Sequence, residues 1–335
     1  MTEIRKTFSI CNECYKKIPA TIVLTDTVVE LHKECCGLLQ KEVIEKNKEF
    51  YNAMVNAPYN NILGNLCNIA ITDDCNSTCK ACYCKIEKKE KSLDEIMGMS
   101  FILPTWIDKI MLTGGEPTIH SQFFDIVSNL NCGVITNGIK FADLNFLKEF
   151  AQFNVYMAGT NNEIATMFSL NTEDSPDYGE KMLAIENFKR MGLKLAMVSS
   201  TITDLDEIPG VLSEFRKIKD VVSTFKIRSA FNIGESQGFK HIYISELIKK
   251  VKENCGILRF VQGMHTNTYL VNMRCDDIHL MLVKCPDKTI IDLCDIGPTG
   301  PYQLTHLNTF EDVVVALIVN EGIEKGWFNG RKIND

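Results

Sequence analysis

A chain of 335 residues with 45% apolar and 24% charged residues has the make-up of an ordinary globular protein, long enough for one large domain or two modest ones. Its net charge of −7 excludes a general grip on a nucleic-acid backbone, which needs a basic surface, but leaves room for a nucleotide in a locally basic groove. The N-terminus has no apolar leader, and the longest apolar runs, such as 313–319, are far too short to cross a bilayer. A cytoplasmic protein without a membrane span is therefore expected, with its 14 cysteines reduced and more suited to metals than to disulfides.

Residues 1–60 read as a cysteine-rich module and a connector. Cys11 and Cys14 form one Cys-x-x-Cys, a β-rich stretch follows, and Cys35 and Cys36 close the pattern, as in two metal knuckles joined by a hairpin. Residues 40–60 are expected to be a polar, helical connector. A tetrahedral zinc site would staple a module too small for its own core. Structural zinc is favoured, an additional iron–sulfur cluster comes second, and ordinary buried thiols third.

From Asn61 short apolar runs alternate with helical patterns. Strands are expected at 68–72, 109–113, 133–136, 154–158, 193–199 and 223–228. Between the fourth and fifth lies a helix over 177–192, where Met182, Ile185, Phe188 and Met191 recur every three residues and Gly192 fits the C-cap. Ser92 to Glu95 has the form of a capping box. Six β/α repeats over 61–235 predict an α/β fold, a partial (β/α)6 TIM-type barrel, with its site at the C-terminal strand ends. The repeat fades after about residue 230. Residues 236–335 are expected to supply a β-meander, turning at Pro286-Asp287, and a final helix, together covering the site.

The densest chemistry is "CNSTCKAC" at 75–82, directly after the first barrel strand. Cys75, Cys79 and Cys82 sit on one short loop, where three thiolates suit three irons of a cube and leave the fourth iron open. Cys84 follows too closely to wrap another corner without strain. A four-cysteine structural zinc site is the other reading, although such sites use two pairs set well apart. One β/α unit later comes "TGGEP", 113–117, whose glycines permit close backbone approach to a ligand and whose Glu116 offers an acceptor to an ammonium group. Alone either motif is ambiguous, but the register of the two is specific.

Together with "ITNG" at 135–138, these motifs resemble the radical S-adenosylmethionine (radical SAM) superfamily over roughly 61–235. The resemblance implies that Cys75, Cys79 and Cys82 ligate a [4Fe–4S] cluster whose fourth iron chelates S-adenosylmethionine. Thr113, Gly114, Gly115 and Glu116 would hold the methionine end, with Asn137, Arg228 and Tyr83 among the cofactor contacts. It further implies reductive cleavage to a 5′-deoxyadenosyl radical, hydrogen abstraction from an unactivated C–H bond, and a low-potential electron donor such as flavodoxin or ferredoxin. The substrate is open: a nucleoside or modified base, a peptide, a lipid or a small metabolite.

The N-terminal layout is similar to the zinc knuckle of a branch that includes archaeal tetraether lipid synthases. Leu38 stands where that branch has a histidine, so Cys36, His32 or Cys67 is the candidate for the fourth ligand. A different class of reading, a zinc-stabilised binding or scaffold protein, has no need of the cradle at the second strand. The histidines and the scattered cysteines beyond 250 are expected to be ordinary surface or core residues.

Overall fold

The computed structural model describes residues 2–10, 13, 17–55, 66–82, 88–101, 109–153, 163–170, 177–230, 238–255, 259–262, 281–284 and 290–292. Its N-terminal part is an antiparallel meander of β1 (Thr2–Ile10), β2 (Lys17–Leu24), β3 (Val29–Cys35) and β4 (Leu38–Glu45), paired in sequence order. Alternation makes the sheet one-sided: Ala20 and Ile22 of β2 and Val29 and Leu31 of β3 are buried together with Tyr51 of α1 (Lys48–Val55). Lys33 continues that inward row and survives there because Glu42 pairs with it at 2.7 Å.

Cys36 and Gly37 form the two-residue turn between β3 and β4, both with positive φ (54° and 73°), the combination that suits a tight hairpin. The pairs Ile10–Lys17 and Cys35–Leu38 close the sheet at the same end. Residues 40–45, expected to open the helical connector, instead belong to the fourth strand, and among the described residues of 40–60 the helix covers 48–55. Leu38-Leu39 followed by the alternating run to Glu45 satisfies the edge of β3, a partner the local pattern does not reveal.

The second sheet has nine strands. Six of them are parallel and neighbours in sequence order: β5 (Leu66–Thr72), β6 (Lys109–Gly114), β7 (Cys132–Thr136), β8 (Glu163–Ser169), β9 (Lys194–Ile202) and β10 (Val222–Ser229). The connecting helices are α2 (Leu93–Phe101), α3 (Phe123–Asn129), α4 (Leu144–Phe150), α5 (Tyr178–Arg190) and α6 (Ile208–Ile218). They cover a core of Ile69, Leu112, Val134, Leu195, Val198 and Phe225 from β5, β6, β7, β9 and β10. Phe123, Phe141, Phe150 and Phe188 lock the helices to one another with ring centroids 5.1–5.9 Å apart. Burying each such ring stabilises the fold by about 2–3 kcal/mol.

The fourth parallel strand is 163–169. The run 154–158, expected to fill that place, lies outside the described residues. Val155 to Ala158 is the more apolar run, but Glu163–Ser169 pairs with both β7 and β9, and tertiary pairing overrides local hydrophobicity. The other five strands fall where the apolar runs place them. The capping box is present: Ser92 Oγ accepts from the Glu95 amide (3.3 Å), and Glu95 accepts from the Ser92 amide (2.7 Å).

Beyond β10 the sheet continues. After α7 (Ile244–Cys255) come β11 (Arg259–Gln262), β12 (Met281–Lys284) and β13 (Ile290–Asp292). β12 and β13 are antiparallel, as the meander reading expects, but β13 joins β10 in parallel and so extends the main sheet. The sheet is open, with β5 at one edge and β11 at the other. Pro286-Asp287 and the expected C-terminal helix lie outside the described residues. The N-terminal meander is tied to α7 by Glu45, a buried carboxylate that accepts from the amides of Lys46, Asn47 and Ser245 and from the Ser245 hydroxyl.

Candidate functional site

Because β5 to β10 are parallel, their C-terminal ends share one edge, and the loops there converge. The cysteine loop leaves that edge from Thr72. Its path is set by hydrogen bonds to the returning chain: Asp73 N–H donates to the Lys89 carbonyl (3.0 Å), Lys89 N–H to Asp73 Oδ1 (2.6 Å), and Thr72 Oγ1 to the same carbonyl (3.0 Å). Asp74 then accepts from the Cys75 amide (2.9 Å), and the Cys82 amide donates to the Cys79 carbonyl (3.1 Å). Cys75, Cys79 and Cys82 are all half-buried, and none is in a disulfide. Burial pushes the Cys75 thiol up to about 11, opposed by a backbone hydrogen bond from Ser77 and reinforced by Glu116 and the two other thiols.

The glycines after β6 explain why this loop stays in place. Gly114 has φ +139°, and a Cβ there would lie 1.9 Å from the Thr72 carbonyl oxygen; one on Gly115 would lie 2.2 Å from that of Asp74. The amides of Gly115 and Glu116 donate to those two carbonyls at 2.8 and 2.7 Å. The close approach expected of the glycines is therefore first of all an approach to the root of the cysteine loop, backbone on backbone.

Glu116 is wholly buried. Its Oε1 accepts from Thr118 N (3.0 Å), Thr118 Oγ1 (2.5 Å) and Thr136 Oγ1 (2.6 Å), and its Oε2 from Asn137 N (2.6 Å). Burial pushes the carboxyl up, and the bonds from Asn137, Thr118 and Thr136 pull it back. The side chain thus bridges the end of β6 to the end of β7. Asn137, held there, donates from Nδ2 to Asn76 Oδ1 (2.8 Å) and lies 3.9 Å from Cys75 Sγ. His120 is buried in the same corner. Its Nδ1 accepts from Gln122 N (3.0 Å), which leaves Nε2 to donate to the Lys91 carbonyl (2.8 Å), so it acts as a local cap.

A third element meets the loop. Asp177 stands before α5, yet its carboxylate accepts from Ser77 Oγ in the cysteine loop and makes no cap bond to its own helix. Ser77 Oγ is 3.4 Å from Cys79 Sγ. One turn on, Lys181 is 0% exposed and its Nζ has no hydrogen-bond partner among the described residues. Burial lowers its pKa, against the pull of Cys79, Asp177, Glu116 and Cys75.

Of the remaining expected contacts, Thr113 is buried in β6 beside Ala70 of β5. Arg228, near the end of β10, donates from Nε to Thr201 Oγ1 (2.9 Å). Tyr83, Cys84, Cys11 and Cys14 lie outside the described residues. Cys35 and Cys36 have their sulfurs 3.7 Å apart at the tip of the meander, and His32 is engaged by Glu30 (2.7 Å). Cys67 lies in β5 opposite Ile110, in the other sheet from the meander.

Comparison with known proteins bears on both parts. Residues 3–36 match the family described as the HMPTM N-terminal zinc ribbon domain. Over 262 residues the chain is 26% identical to 7,8-dihydro-6-hydroxymethylpterin dimethyltransferase of Methanocaldococcus jannaschii, covering 65% of this chain and 51% of that protein. The chain resembles the radical SAM superfamily and carries an N-terminal zinc-ribbon segment. It spans about half the length of the curated relative it matches. Solved structures of SuiB from Streptococcus suis are also similar: bound to the precursor peptide SuiA (TM-score 0.43, 16% identity, 57% of this chain and 45% of that one), and alone (TM-score 0.43, 12% identity, 73% and 68%). Likenesses at that level decide nothing about this chain's activity.

For a radical SAM-like core, the residues present suit an iron–sulfur cube. A mononuclear thiolate site needs sulfurs about 4 Å apart, whereas a cube holds each thiolate on a different iron. An anionic sulfur-rich group would also give the orphaned Lys181 ammonium an acceptor. Sequence reading passed over Ser77, Asp177 and Lys181. One signal was available for Lys181: it lies in phase with Ala184, Ile185 and Phe188 on the buried face of α5, where a lysine is out of place.

Proposed function

We propose that this chain is a radical SAM enzyme whose Cys75, Cys79 and Cys82 bind three irons of a [4Fe–4S] cluster, leaving the fourth open to S-adenosylmethionine. The observation that carries the reading is the root of the cysteine loop, clamped to the end of β6 by Gly114 and Gly115 at a distance no other residue type allows. When bound, the cluster and S-adenosylmethionine together supply a 5′-deoxyadenosyl radical able to take hydrogen from an unactivated C–H bond.

The chain's own residues do the holding. Thr72, Asp73 and Asp74 fix the loop, Glu116 sets Asn137 beside Cys75, and Asp177 with Ser77 pins the start of α5 against it. Thr113, Gly114, Gly115, Glu116, Asn137, Arg228 and Tyr83 are the proposed cofactor contacts. The six parallel strands form the partial barrel, with 1–60 as the zinc module, 61–235 as the core and 236–335 covering the strand ends. Cys11, Cys14, Cys35 and Cys36 hold zinc, a reading supported by the Ile10–Lys17 and Cys35–Leu38 pairs closing the sheet at the same end. A low-potential donor such as flavodoxin or ferredoxin delivers the electron.

The 26%-identical relative is named as a pterin dimethyltransferase, which makes a pterin-like heterocycle the leading substrate class. Anaerobic reconstitution followed by iron, sulfide and zinc analysis, EPR with and without S-adenosylmethionine, and assay of 5′-deoxyadenosine release with dithionite tests the reading. Release should be stimulated by reduced pterins, abolished in Cys79→Ala and retained in Cys84→Ala. A colourless protein containing only zinc overturns it.

A further inference from the structure

We propose that Lys181 is a built-in countercharge for the cysteine loop, its ammonium donating to the sulfur ligands around Cys79 and so easing reduction of the bound cluster. The inference rests on the proposed function and adds to it a residue outside the motifs.

Three observations converge. The Lys181 side chain is 0% exposed with Nζ unpartnered, a costly arrangement unless something anionic comes to it. Its helix is anchored to the loop through Asp177 and Ser77, with Ser77 Oγ 3.4 Å from Cys79 Sγ. The two carboxylates whose fields it feels are otherwise engaged, Asp177 by Ser77 and Glu116 by Thr118, Thr136 and Asn137. The thiols remain: Asp177, one turn before Lys181, is bonded to Ser77, whose Oγ lies 3.4 Å from Cys79 Sγ.

Three thiolates on an oxidised [4Fe–4S]2+ core carry a total charge of −1. One electron from an external low-potential reductant takes it to −2, with no bond made or broken. A fixed positive charge in a dry site favours the more negative state. Lys181 is thus a positioning and tuning residue that touches neither substrate nor reacting carbon.

The test is a potentiometric titration of the reconstituted full chain, followed by EPR of the reduced cluster. Wild type, Lys181→Met and Lys181→Arg are compared, with iron and sulfide measured in each. Lys181→Met should lower the reduction equilibrium constant at least tenfold, about 59 mV for a one-electron couple, and Lys181→Arg should recover most of it. Without the cluster, Lys181→Met should melt higher than wild type, because an unpartnered buried polar group has been replaced by an apolar one. Should Lys181→Met not accumulate, Lys181→Gln takes its place with the same readout. Loss of iron in Met but not in Arg also supports the countercharge, and loss in both overturns it. An unchanged potential at full iron content overturns the inference while leaving the enzyme reading intact; absence of a four-iron cluster from wild type overturns that reading itself.

Discussion

Two buried titratable side chains sit at the C-terminal edge of the parallel sheet, and they are served in opposite ways. At the corner between β6 and β7, the Glu116 carboxylate receives four hydrogen bonds. At the start of α5, the Lys181 amine donates none among the described residues. A saturated buried ion is part of the scaffold, because its desolvation is already compensated by fixed donors. An unsaturated one marks a place the fold leaves for something else. The same edge therefore contains a finished joint and an unfinished one, and the cysteine loop lies between them.

The comparison breaks most visibly at Glu116. Glu116→Ala would strand the amides of Thr118 and Asn137 and the Thr136 hydroxyl in a dry corner, costing about 4 kcal/mol. Thermal unfolding of the cluster-free protein reads this loss directly. If the melting temperature does not move, the corner is not the scaffold described above. Gly114→Ala comes next, at about 3 kcal/mol, because its Cβ would collide with the Thr72 carbonyl and its φ of +139° suits only glycine. The same variant should bind markedly less iron on reconstitution, since the root of the cysteine loop must shift.

Ser77→Ala sharpens the contrast from the other side. It removes the donor to Asp177 while leaving Lys181 in place, a loss of about 1.5 kcal/mol. Hydrogen exchange should then rise in the first turn of α5 but not at its C-terminal turn. There Gly192 at φ +67° and the Leu193 amide bonded to the Phe188 carbonyl (2.9 Å) end the helix independently. The smallest effect is expected at Cys132, buried in β7 with no charge to compensate. Burial alone pushes its thiol up to about 12, so at pH 8 only on the order of one molecule in ten thousand carries the thiolate. Iodoacetamide should leave it unlabelled until denaturant opens the sheet, and rapid native labelling would contradict the packing around β7.

What could be read in advance follows the range of the interaction. Capping at Ser92, the periodic face of α5 and the Gly192 stop depend on residues three or four apart, and all are visible in a string of letters. So is the juxtaposition of "CNSTCKAC" with "TGGEP", because both sit immediately after strands that a parallel sheet must align. The fourth strand was misplaced because two apolar runs competed within fifteen residues, and only pairing with β7 and β9 separates them. The strand at 38–45 and the addition of β13 beside β10 failed to show for the same reason: a strand is specified by a partner that is remote in sequence.

By itself, the sequence determined which thiols lie together and which strands carry the loops, since covalent spacing and local periodicity act over a few residues. Tertiary structure alone decided what surrounds them. It turned Glu116 into an internal strut, showed that the glycines make room for carbonyls of the cysteine loop, and brought a lysine from a helix a hundred residues away to those thiols. Burial and hydrogen-bond satisfaction belong to three-dimensional neighbours, and no pattern along the chain encodes whether a buried charge will find a partner.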